Sequence, residues 1–387
     1  MHICQINPLG EFYSPISGGA VATVIMETSR ELIRRGHEVS VLSVACNDAF
    51  YSVGRVIKLP AVGRGNLSFL QRRLSALRRK IHGWDWHFYE FYRANIAAAL
   101  RSLPTPPDVV IVHNDLVSPR YLKKYAPRAK IIVWLHNENR TNQKSLAPTV
   151  SQTDAFICVS DFIRDWTARN HSIPPPKLHT ILNGVNTDTF QPRAELGTNH
   201  FIHALYLGRI DPNKGPDLAV DAAGMLAKQG VPIAMTVIGG LWFFNRGEDE
   251  MADPFFRSLK DKMSAAGTDY RGHVTRPDIP SLVRQQDIVC VLSRSNEPCG
   301  LVPLEAMASG CAVVASNRGG LPQVCGDAAI LVNPEIDPVV EALKLLTTNP
   351  AALLERKQRS LEHARRNTWS SRVDQLEPLL KNLGGRN

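Results

Sequence analysis

The sequence has no long hydrophobic run, although 44% of its 387 residues are apolar. A helix that crosses a membrane needs about 20 consecutive apolar residues, and no segment of this chain approaches that length. Residues 1–7 are too short and too polar to act as a secretory signal. The sequence therefore predicts a cytoplasmic protein, either soluble or attached peripherally to the inner face of the membrane.

The sequence also lacks closely spaced cysteine pairs. Its seven cysteines contain no Cys-x-x-Cys motif, and several fall inside apolar segments of strand length. This usage is typical of a reducing compartment and argues against a structural zinc site. An Asp-x-Asp metal motif is missing too. We therefore expect neither a metal ion nor another cofactor.

Two other classes of protein are disfavoured by missing patterns. A nicotinamide-dependent oxidoreductase would need a tight glycine-rich turn after a strand and an acid about 20 residues later, and neither half of the chain has this set. The formal charge of +9 suits an anionic partner, which is a sugar nucleotide, a nucleic acid or an acidic membrane surface. The cations cluster in one helical segment and beside candidate phosphate loops, without a known nucleic-acid-binding module. No nucleic acid is therefore expected, and the oligomeric state stays open.

What the sequence does contain is a repeated alternation of short apolar runs and longer helix-period segments. This pattern is typical of parallel sheets covered by helices on both faces. One series begins at residue 1, and a second begins at residues 204–207, after the proline-rich stretch 173–177. We predict an amino-terminal domain over residues 1–180, a carboxy-terminal domain over 181–365 and a final helical segment over 366–387.

Two carboxylates mark a candidate site at a strand end, where ligands bind in such folds. Glu297 and Glu305 are separated by seven residues and follow the apolar run 288–292. Gly300 allows close backbone approach, and a helix starting near Leu301 would direct free amides towards an anion. Two solvated surface acids would have the same spacing. The surrounding strand, glycine turn and helix favour a site for an anion and for hydroxyl groups.

The segment from Glu297 to Glu305, with residues 306–310 and Gly319-Gly320-Leu321-Pro322, resembles the donor-binding core of family 4 retaining glycosyltransferases. The resemblance covers nearly the whole chain. It implies an α/β GT-B fold, with two Rossmann-like doubly wound parallel-sheet domains facing across a deep cleft. The first domain would bind the acceptor and the second the nucleotide sugar, and residues 366–387 would return to the first domain. Cys299 departs from the family, in which an aromatic residue is common at this place.

A loop after the apolar run 204–207 carries Arg209 and Lys214. A guanidinium and an ammonium on one strand-end loop form a natural clamp for a diphosphate, although a solvated loop also carries such residues. The family resemblance assigns both residues to the donor diphosphate. It assigns Glu297 to the sugar hydroxyls and Glu305 to the ribose of the nucleotide.

His136 follows the apolar run 131–135, a place where a lone histidine is often only structural. The resemblance implies that it contacts the transferred sugar. The acceptor candidates beside it are His113, Asp115 and Asn137, and Asp115 also fits the simpler role of a helix cap.

The resemblance defines two further donor segments. Gly18 and Gly19 lead into the first helix and match a loop that faces the diphosphate and the acceptor, while residues 270–274 match a loop whose backbone reads the nucleobase. The predicted catalytic residues are His136, Arg209, Lys214 and Glu297. The predicted donor-binding residues are Gly18, Gly19, Arg209, Lys214, Arg271, His273, Val274, Glu297, Cys299, Gly300, Leu301, Val302 and Glu305.

The activity that the resemblance implies is metal-independent, retaining transfer of a hexose or N-acetylhexosamine from a nucleoside-diphosphate sugar to a hydroxyl group. UDP is favoured over GDP, but the base and the sugar stay open. The expected acceptor is a carbohydrate or lipid-linked molecule of cell-surface polysaccharide or glycolipid biosynthesis, with a small molecule or natural product as the alternative. A non-catalytic GT-B scaffold is a further alternative, which the intact set Arg209, Lys214, Glu297 and Glu305 disfavours.

Residues 69–92 suggest a second kind of partner. Leu70, Leu74, Leu77 and Ile81 would share one face of a helix that carries five cations and no acid within residues 69–81, and six aromatic residues follow. Such a segment either rests on an anionic membrane surface or packs on its own domain with a solvated basic face.

Overall fold

The structure is a computed structural model of the protein, and it describes residues 1–17, 19–61, 73, 86–139, 146–197, 201–241 and 249–384. The chain divides into two compact units. Unit 1 comprises Met1–Leu182 and Val373–Asn387, and unit 2 comprises Asn183–Arg372. Each unit is built on one sheet in which all neighbouring strands are parallel.

Unit 1 has a seven-stranded sheet in the order β3-β2-β1-β4-β5-β6-β7. Its strands are β1 His2–Ile6, β2 Glu38–Val44, β3 Arg55–Leu59, β4 Val109–His113, β5 Lys130–Leu135, β6 Ala155–Cys158 and β7 Leu178–Thr180. Within the described ranges before residue 182, the helices with defined bounds are α1 Ala20–Arg34, α2 Trp86–Ser102, α3 Pro119–Tyr125, α4 Ala147–Gln152 and α5 Asp161–Asn170. The central strands are buried along almost their whole length, as expected of a parallel sheet covered on both faces.

Unit 2 has a six-stranded sheet in the order β10-β9-β8-β11-β12-β13. Its strands are β8 Ile202–Leu207, β9 Ile233–Ile238, β10 Asp269–Tyr270, β11 Ile288–Val291, β12 Ala312–Ser316 and β13 Ile330–Val332. The helices that follow α5 are α6 Pro216–Lys228, α7 Pro254–Ala265, α8 Ile279–Val283, α9 Val302–Ala308, α10 Leu321–Cys325, α11 Ile336–Thr348, α12 Pro350–Arg366 and α13 Trp369–Gly384. The core lies between the sheet and helices such as α6, α7 and α11.

The last helix, α13, passes from unit 2 into unit 1 at residues 372 and 373. Its part in unit 1 buries Val373, Leu376 and Leu380 completely. The carboxylate of Glu377 pairs with Arg35 at 3.2 Å and with His37 at 3.1 Å, just after α1. The helix is therefore attached to unit 1 by apolar burial and by ion pairs.

The structure corrects one part of the interpretation of residues 69–92. Most of residues 69–85 lie outside the described residues. Phe91 is 44% exposed, but Tyr92 is buried and its hydroxyl donates to the carbonyl oxygen of Asn7 at 2.8 Å. Tyr92 therefore belongs to the core of unit 1 and is not an interfacial aromatic residue. Among the described helices, none combines the length and the apolar character that a membrane span needs.

Candidate functional site

Arg294 fastens together the two strand-end loops of unit 2 that carry the predicted charged residues. Its guanidinium donates to both carboxylate oxygens of Asp217, at 2.8 and 2.6 Å, and to the carbonyl oxygen of Pro212 at 2.7 Å. Its backbone amide donates to the carbonyl oxygen of Asn213. The first loop follows β8 and the second follows β11, and these strands are neighbours in the sheet. These hydrogen bonds of Arg294, called the Arg294 clamp below, therefore hold the two loops side by side.

Lys214 and Glu297 meet across these loops. The Lys214 Nζ lies 2.5 Å from Glu297 Oε2, and the Ser293 hydroxyl donates to the same oxygen at 3.0 Å. The two charged side chains are 28% and 15% exposed, so a ligand can reach them. Arg209, on the same loop as Lys214, places Nη2 3.0 Å from Asp211 Oδ2. Three of the predicted catalytic residues thus lie on this pair of loops.

The backbone around Glu297 is held by two glycines. Gly319 has a φ of +58°, and a Cβ there would collide with the carbonyl oxygen of Glu297. The amide of Gly320 donates to that oxygen at 2.6 Å. Gly300 has a φ of +81°, a left-handed conformation that favours glycine. It leads into α9, whose first turn has no side-chain cap, so no capping side chain competes for the amides at Leu301 and Val302.

Glu305 is buried in α9 and is neutralised by a residue that the sequence prediction did not include. Arg276 donates through Nη1 to Glu305 Oε2 at 3.0 Å and pairs through Nη2 with the other carboxylate oxygen. The Arg276 guanidinium also lies 5.4 Å from the ring centre of Phe190. A ribose that bound Glu305 would share the carboxylate with this arginine.

The remaining predicted donor residues of unit 2 differ in exposure. Cys299 is buried, and burial raises the pKa of its thiol to about 12, so its side chain is a neutral core group. Arg271 is exposed and pairs with Asp269 at 2.8 Å. His273 and Val274 follow in the same segment, which is anchored because the amide of Gly239 donates to the carbonyl oxygen of Gly272.

In unit 1, His136 and His113 form a buried pair at the carboxyl ends of β5 and β4. His113 Nδ1 lies 2.9 Å from His136 Nε2, and His113 Nε2 lies 2.9 Å from the Gln5 Oε1 on β1. Burial lowers the pKa of His136 to about 3 and holds the pKa of His113 well below its usual range, with the neighbouring His136 as a second cause. Both ring nitrogens of His113 have partners within unit 1, and its role as an acceptor contact stays a prediction.

The other acceptor candidates lie beside this pair. Asp115 Oδ1 accepts the backbone amides of Val117 and Ser118, at 2.7 and 3.1 Å. These bonds shape the loop before α3, whose N-cap residue is Ser118 and has no side-chain cap hydrogen bond, and the Asp115 carboxylate is buried. Asn137 is exposed. The backbone amide of His136 donates to Asn114 Oδ1 at 2.7 Å, which ties the loop after β5 to the loop after β4.

The start of α1 contacts a carboxyl group from the chain itself. Gly18 lies outside the described residues. At Gly19 a Cβ would collide with the carboxylate of Glu11, and Glu11 Oε2 accepts the amide of Ala22 at 3.2 Å. Burial raises the pKa of Glu11 to about 7, against the opposing hydrogen bonds from the amides of Val21 and Ala22. The position at which a phosphate was expected is therefore occupied by Glu11.

Sequence reasoning missed the residues that position the predicted ones. Arg294, Arg276 and Gln5 were not included, because each acts through a contact distant in sequence. Of these three residues, only Gln5 could have been identified from the sequence, because it is a polar residue inside the buried strand His2–Ile6. No group of three or more His, Cys, Asp or Glu residues placed to hold a metal occurs within the described ranges.

The fold and these residues define the class of the protein as a two-domain α/β protein with Rossmann-like parallel sheets and charged strand-end loops. Sequence models of two families match it, "Glycosyl transferases group 1" over residues 190–367 and "Glycosyltransferase Family 4" over residues 17–189. The two matches adjoin and cover most of the chain. The protein belongs to the family 4 glycosyltransferases of GT-B fold.

Individual relatives agree with this family. The chain is 28% identical over 337 residues to spore coat protein SA of Bacillus subtilis, with 80% of this chain and 79% of the relative covered. It is 26% identical over 371 residues to the phosphatidyl-myo-inositol mannosyltransferase of Mycobacterium tuberculosis, covering 92% and 88%. The structure of HepE from Anabaena in complex with UDP and glucose matches with a TM-score of 0.71 at 17% identity, covering 98% and 99%. The prediction of a GT-B glycosyltransferase is therefore confirmed.

Proposed function

We propose that this glycosyltransferase moves a hexose or N-acetylhexosamine from a UDP-sugar to a hydroxyl group with retention of configuration. The observation that carries the proposal is the meeting of Lys214 and Glu297, 2.5 Å apart and partly exposed, on loops that follow two adjacent parallel strands. Strand ends of this kind are where open parallel sheets bind ligands. A cation for phosphate and a carboxylate for hydroxyls are the two groups that a nucleotide sugar requires.

Each residue has a distinct role in the proposed mechanism. Lys214 and Arg209 bind the donor diphosphate and stabilise the negative charge that develops on it as the glycosidic bond breaks. Glu297 accepts hydrogen bonds from sugar hydroxyls, Glu305 binds the ribose, and His136 contacts the transferred sugar. No covalent nucleophile is required, because the leaving phosphate takes the proton of the acceptor hydroxyl on the same face of the sugar.

The existing ion pairs are compatible with donor binding. A partly exposed pair such as Lys214 with Glu297 contributes only about 0–1 kcal/mol to stability. A charge-assisted hydrogen bond to phosphate contributes about 1.5–3 kcal/mol. Redirecting Lys214 from the carboxylate to a diphosphate is therefore favourable, and Glu297 is then left to accept sugar hydroxyls.

The substrates are proposed from the relatives. HepE is described in complex with UDP and glucose, which supports a uridine nucleotide. The mycobacterial relative is named a phosphatidyl-myo-inositol mannosyltransferase, which supports a lipid-linked or cell-surface carbohydrate acceptor. A small-molecule acceptor is the alternative, and a panel of glycolipid and small-molecule acceptors would separate the two.

A thermal-stability screen tests the donor site. UDP, GDP, ADP, UDP-glucose, UDP-N-acetylglucosamine, GDP-mannose and NAD are compared on the wild type and on Lys214→Ala, Glu305→Ala and the control Lys228→Ala, an exposed lysine of α6. We expect stabilisation by UDP and one UDP-sugar, lost in the first two variants and kept in the control. No response to any nucleotide, or a response to NAD alone, would contradict the proposal.

Turnover assays test the remaining features. The proposed reaction continues in the presence of a chelator, and proton NMR of the product shows the same anomeric configuration as the donor. Loss of turnover with chelator and its recovery with manganese would contradict metal independence, and an inverted product would contradict retention.

A further inference from the structure

We propose that Gln5 and His113 are positioning residues that hold His136 in the tautomer with the proton on Nε2, so that His136 Nδ1 is an acceptor for a hydroxyl group of the sugar. The identity of that hydroxyl rests on the proposed function. The tautomer itself rests on the contacts of unit 1 alone.

The orientation of the Gln5 amide is the first step. Its Nε2 lies 3.4 Å from the carbonyl oxygen of Ile25 and 2.7 Å from the Ser29 hydroxyl. A carbonyl oxygen only accepts, so the amide nitrogen must face Ile25 and the amide oxygen must face His113. The oxygen in turn only accepts, so His113 Nε2, 2.9 Å away, must carry a proton.

The proton positions then follow along the pair of histidines. Burial keeps both rings neutral, because it lowers the pKa values of His113 and His136 far below 7. A neutral ring with a proton on Nε2 has none on Nδ1. His113 Nδ1 is therefore an acceptor, and its neighbour at 2.9 Å, His136 Nε2, must donate. The second ring is left with a bare Nδ1.

That bare nitrogen has no partner in the described part of the chain. His136 Nδ1 is buried and forms no hydrogen bond there. The ring is stacked against His113 at a centroid distance of 5.1 Å and against Trp134 at 5.9 Å, so it is held in place. An unpaired acceptor of this kind is satisfied by an O–H or N–H donor and not by a carbonyl oxygen or a deprotonated phosphate. The donors that a hexose offers are its hydroxyl groups.

The test is nitrogen-15 NMR of the full-length protein labelled at histidine, at neutral pH and without any ligand. Signals of His136 are assigned by their absence in His136→Phe. We expect His136 to show a protonated Nε2 and a bare Nδ1. Gln5→Leu removes the acceptor and should average the His136 signals between both tautomers, and His113→Phe should do the same if Gln5→Leu fails to fold.

Ser29→Ala is the matched control, because Gln5 keeps the Ile25 carbonyl as a partner and the tautomer should be unchanged. A wild-type His136 with a proton on Nδ1, or an unaltered tautomer in both Gln5→Leu and His113→Phe, would overturn the proposal. No nucleotide is present, so a failure of the transferase proposal leaves this result standing.

A second arm uses the UDP-sugar selected by the stability screen. The His136 Nδ1 signal should shift to that of a hydrogen-bonded acceptor when the donor is added. Gln5→Leu should lower kcat/KM about tenfold, the effect of one lost hydrogen bond of about 1.4 kcal/mol, while Ser29→Ala keeps it. An unshifted Nδ1 signal at saturating donor would overturn the hydroxyl contact.

Discussion

Glu11 and His136 are two ionisable residues whose burial favours the uncharged form. The pKa of Glu11 is raised to about 7, and the pKa of His136 is lowered to about 3. The two residues affect stability in different pH ranges. A buried acid opposes folding at high pH, where it would be charged, and a buried base opposes folding at low pH for the same reason.

Glu11 is expected to cost stability as the pH rises. Its pKa is higher in the folded protein than the ordinary value of 4.5, so the folded state binds more protons between pH 4.5 and 7 and stability falls across this range. The free energy of unfolding of Glu11→Gln, relative to that of the wild type, should therefore rise by up to about 3 kcal/mol from pH 5 to pH 8. Urea unfolding at both pH values measures this difference. The control Glu362→Gln, at an exposed position of α12, should show no such change, and an equal shift in both variants would refute the prediction.

His136 is expected to cost stability as the pH falls. Its pKa is about 3 in the folded protein against 6.5 ordinarily, so the unfolded state binds the extra proton below pH 6.5. Keeping His136 neutral lowers the free energy of unfolding by about 2 kcal/mol at pH 5. In His136→Gln the free energy of unfolding should therefore fall less steeply as the pH is lowered. His203→Gln, at an exposed position of β8, should leave this pH dependence unaltered. Identical acid slopes in wild type and His136→Gln would show that His136 does not contribute.

At the scale of elements, a buried ion pair joins α12 to the residue before β11. Lys357 Nζ donates to Asp287 Oδ1 at 2.7 Å, and the two side chains are 3% and 0% exposed. Lys357→Met leaves a buried carboxylate without its main partner and should cost about 3–5 kcal/mol of unfolding free energy. Denaturant unfolding measures this, with exposed Lys344→Met of α11 as the control. A cost below about 1 kcal/mol would mean that the pair is dispensable.

A second prediction at this scale concerns Arg294 and its hydrogen bonds to Asp217 and Pro212. Arg294→Met breaks the bonds to Asp217 and Pro212 while leaving Lys214 and Glu297 in the chain. We expect a folded protein with clearly reduced stabilisation by UDP, because the two loops are no longer held side by side. Arg294→Lys should recover only part of the stabilisation by UDP, because an ammonium group cannot form the bidentate contact that a guanidinium makes with a carboxylate. Arg359→Met serves as the control for charge, and an unchanged UDP response in Arg294→Met would refute the role of the clamp.

The sequence prediction was most accurate for central elements and weakest at the edges. The first helix, expected directly after Gly19, is α1, Ala20–Arg34, and the apolar runs at 131–135 and 288–292 correspond to β5 and β11. These strands are buried on both faces and therefore read as continuous apolar runs. β3, Arg55–Leu59, and β10, Asp269–Tyr270, were not predicted, because an edge strand is half exposed or short and its sequence does not stand out.

At the scale of the whole molecule, unit 1 is completed by the end of the chain. Truncation after Arg372 removes the fully buried Val373, Leu376 and Leu380, each worth about 2 kcal/mol or more. We expect hydrogen exchange to accelerate in unit 1 while the core of unit 2 stays protected. Truncation after Gly384 is the control. Uniform protection in both truncated proteins would show that the helix is not needed by unit 1.

The sequence by itself determined the fold class, the two series of parallel strands and the candidate site residues, because hydrophobic periodicity and short motifs are properties of local sequence. The tertiary structure alone decided which residues meet. It paired Lys214 with Glu297 and Arg276 with Glu305, and it placed His113 between Gln5 and His136. These contacts join residues 23 to 108 positions apart, and only the packing of neighbouring strands and helices brings such side chains within hydrogen-bonding distance.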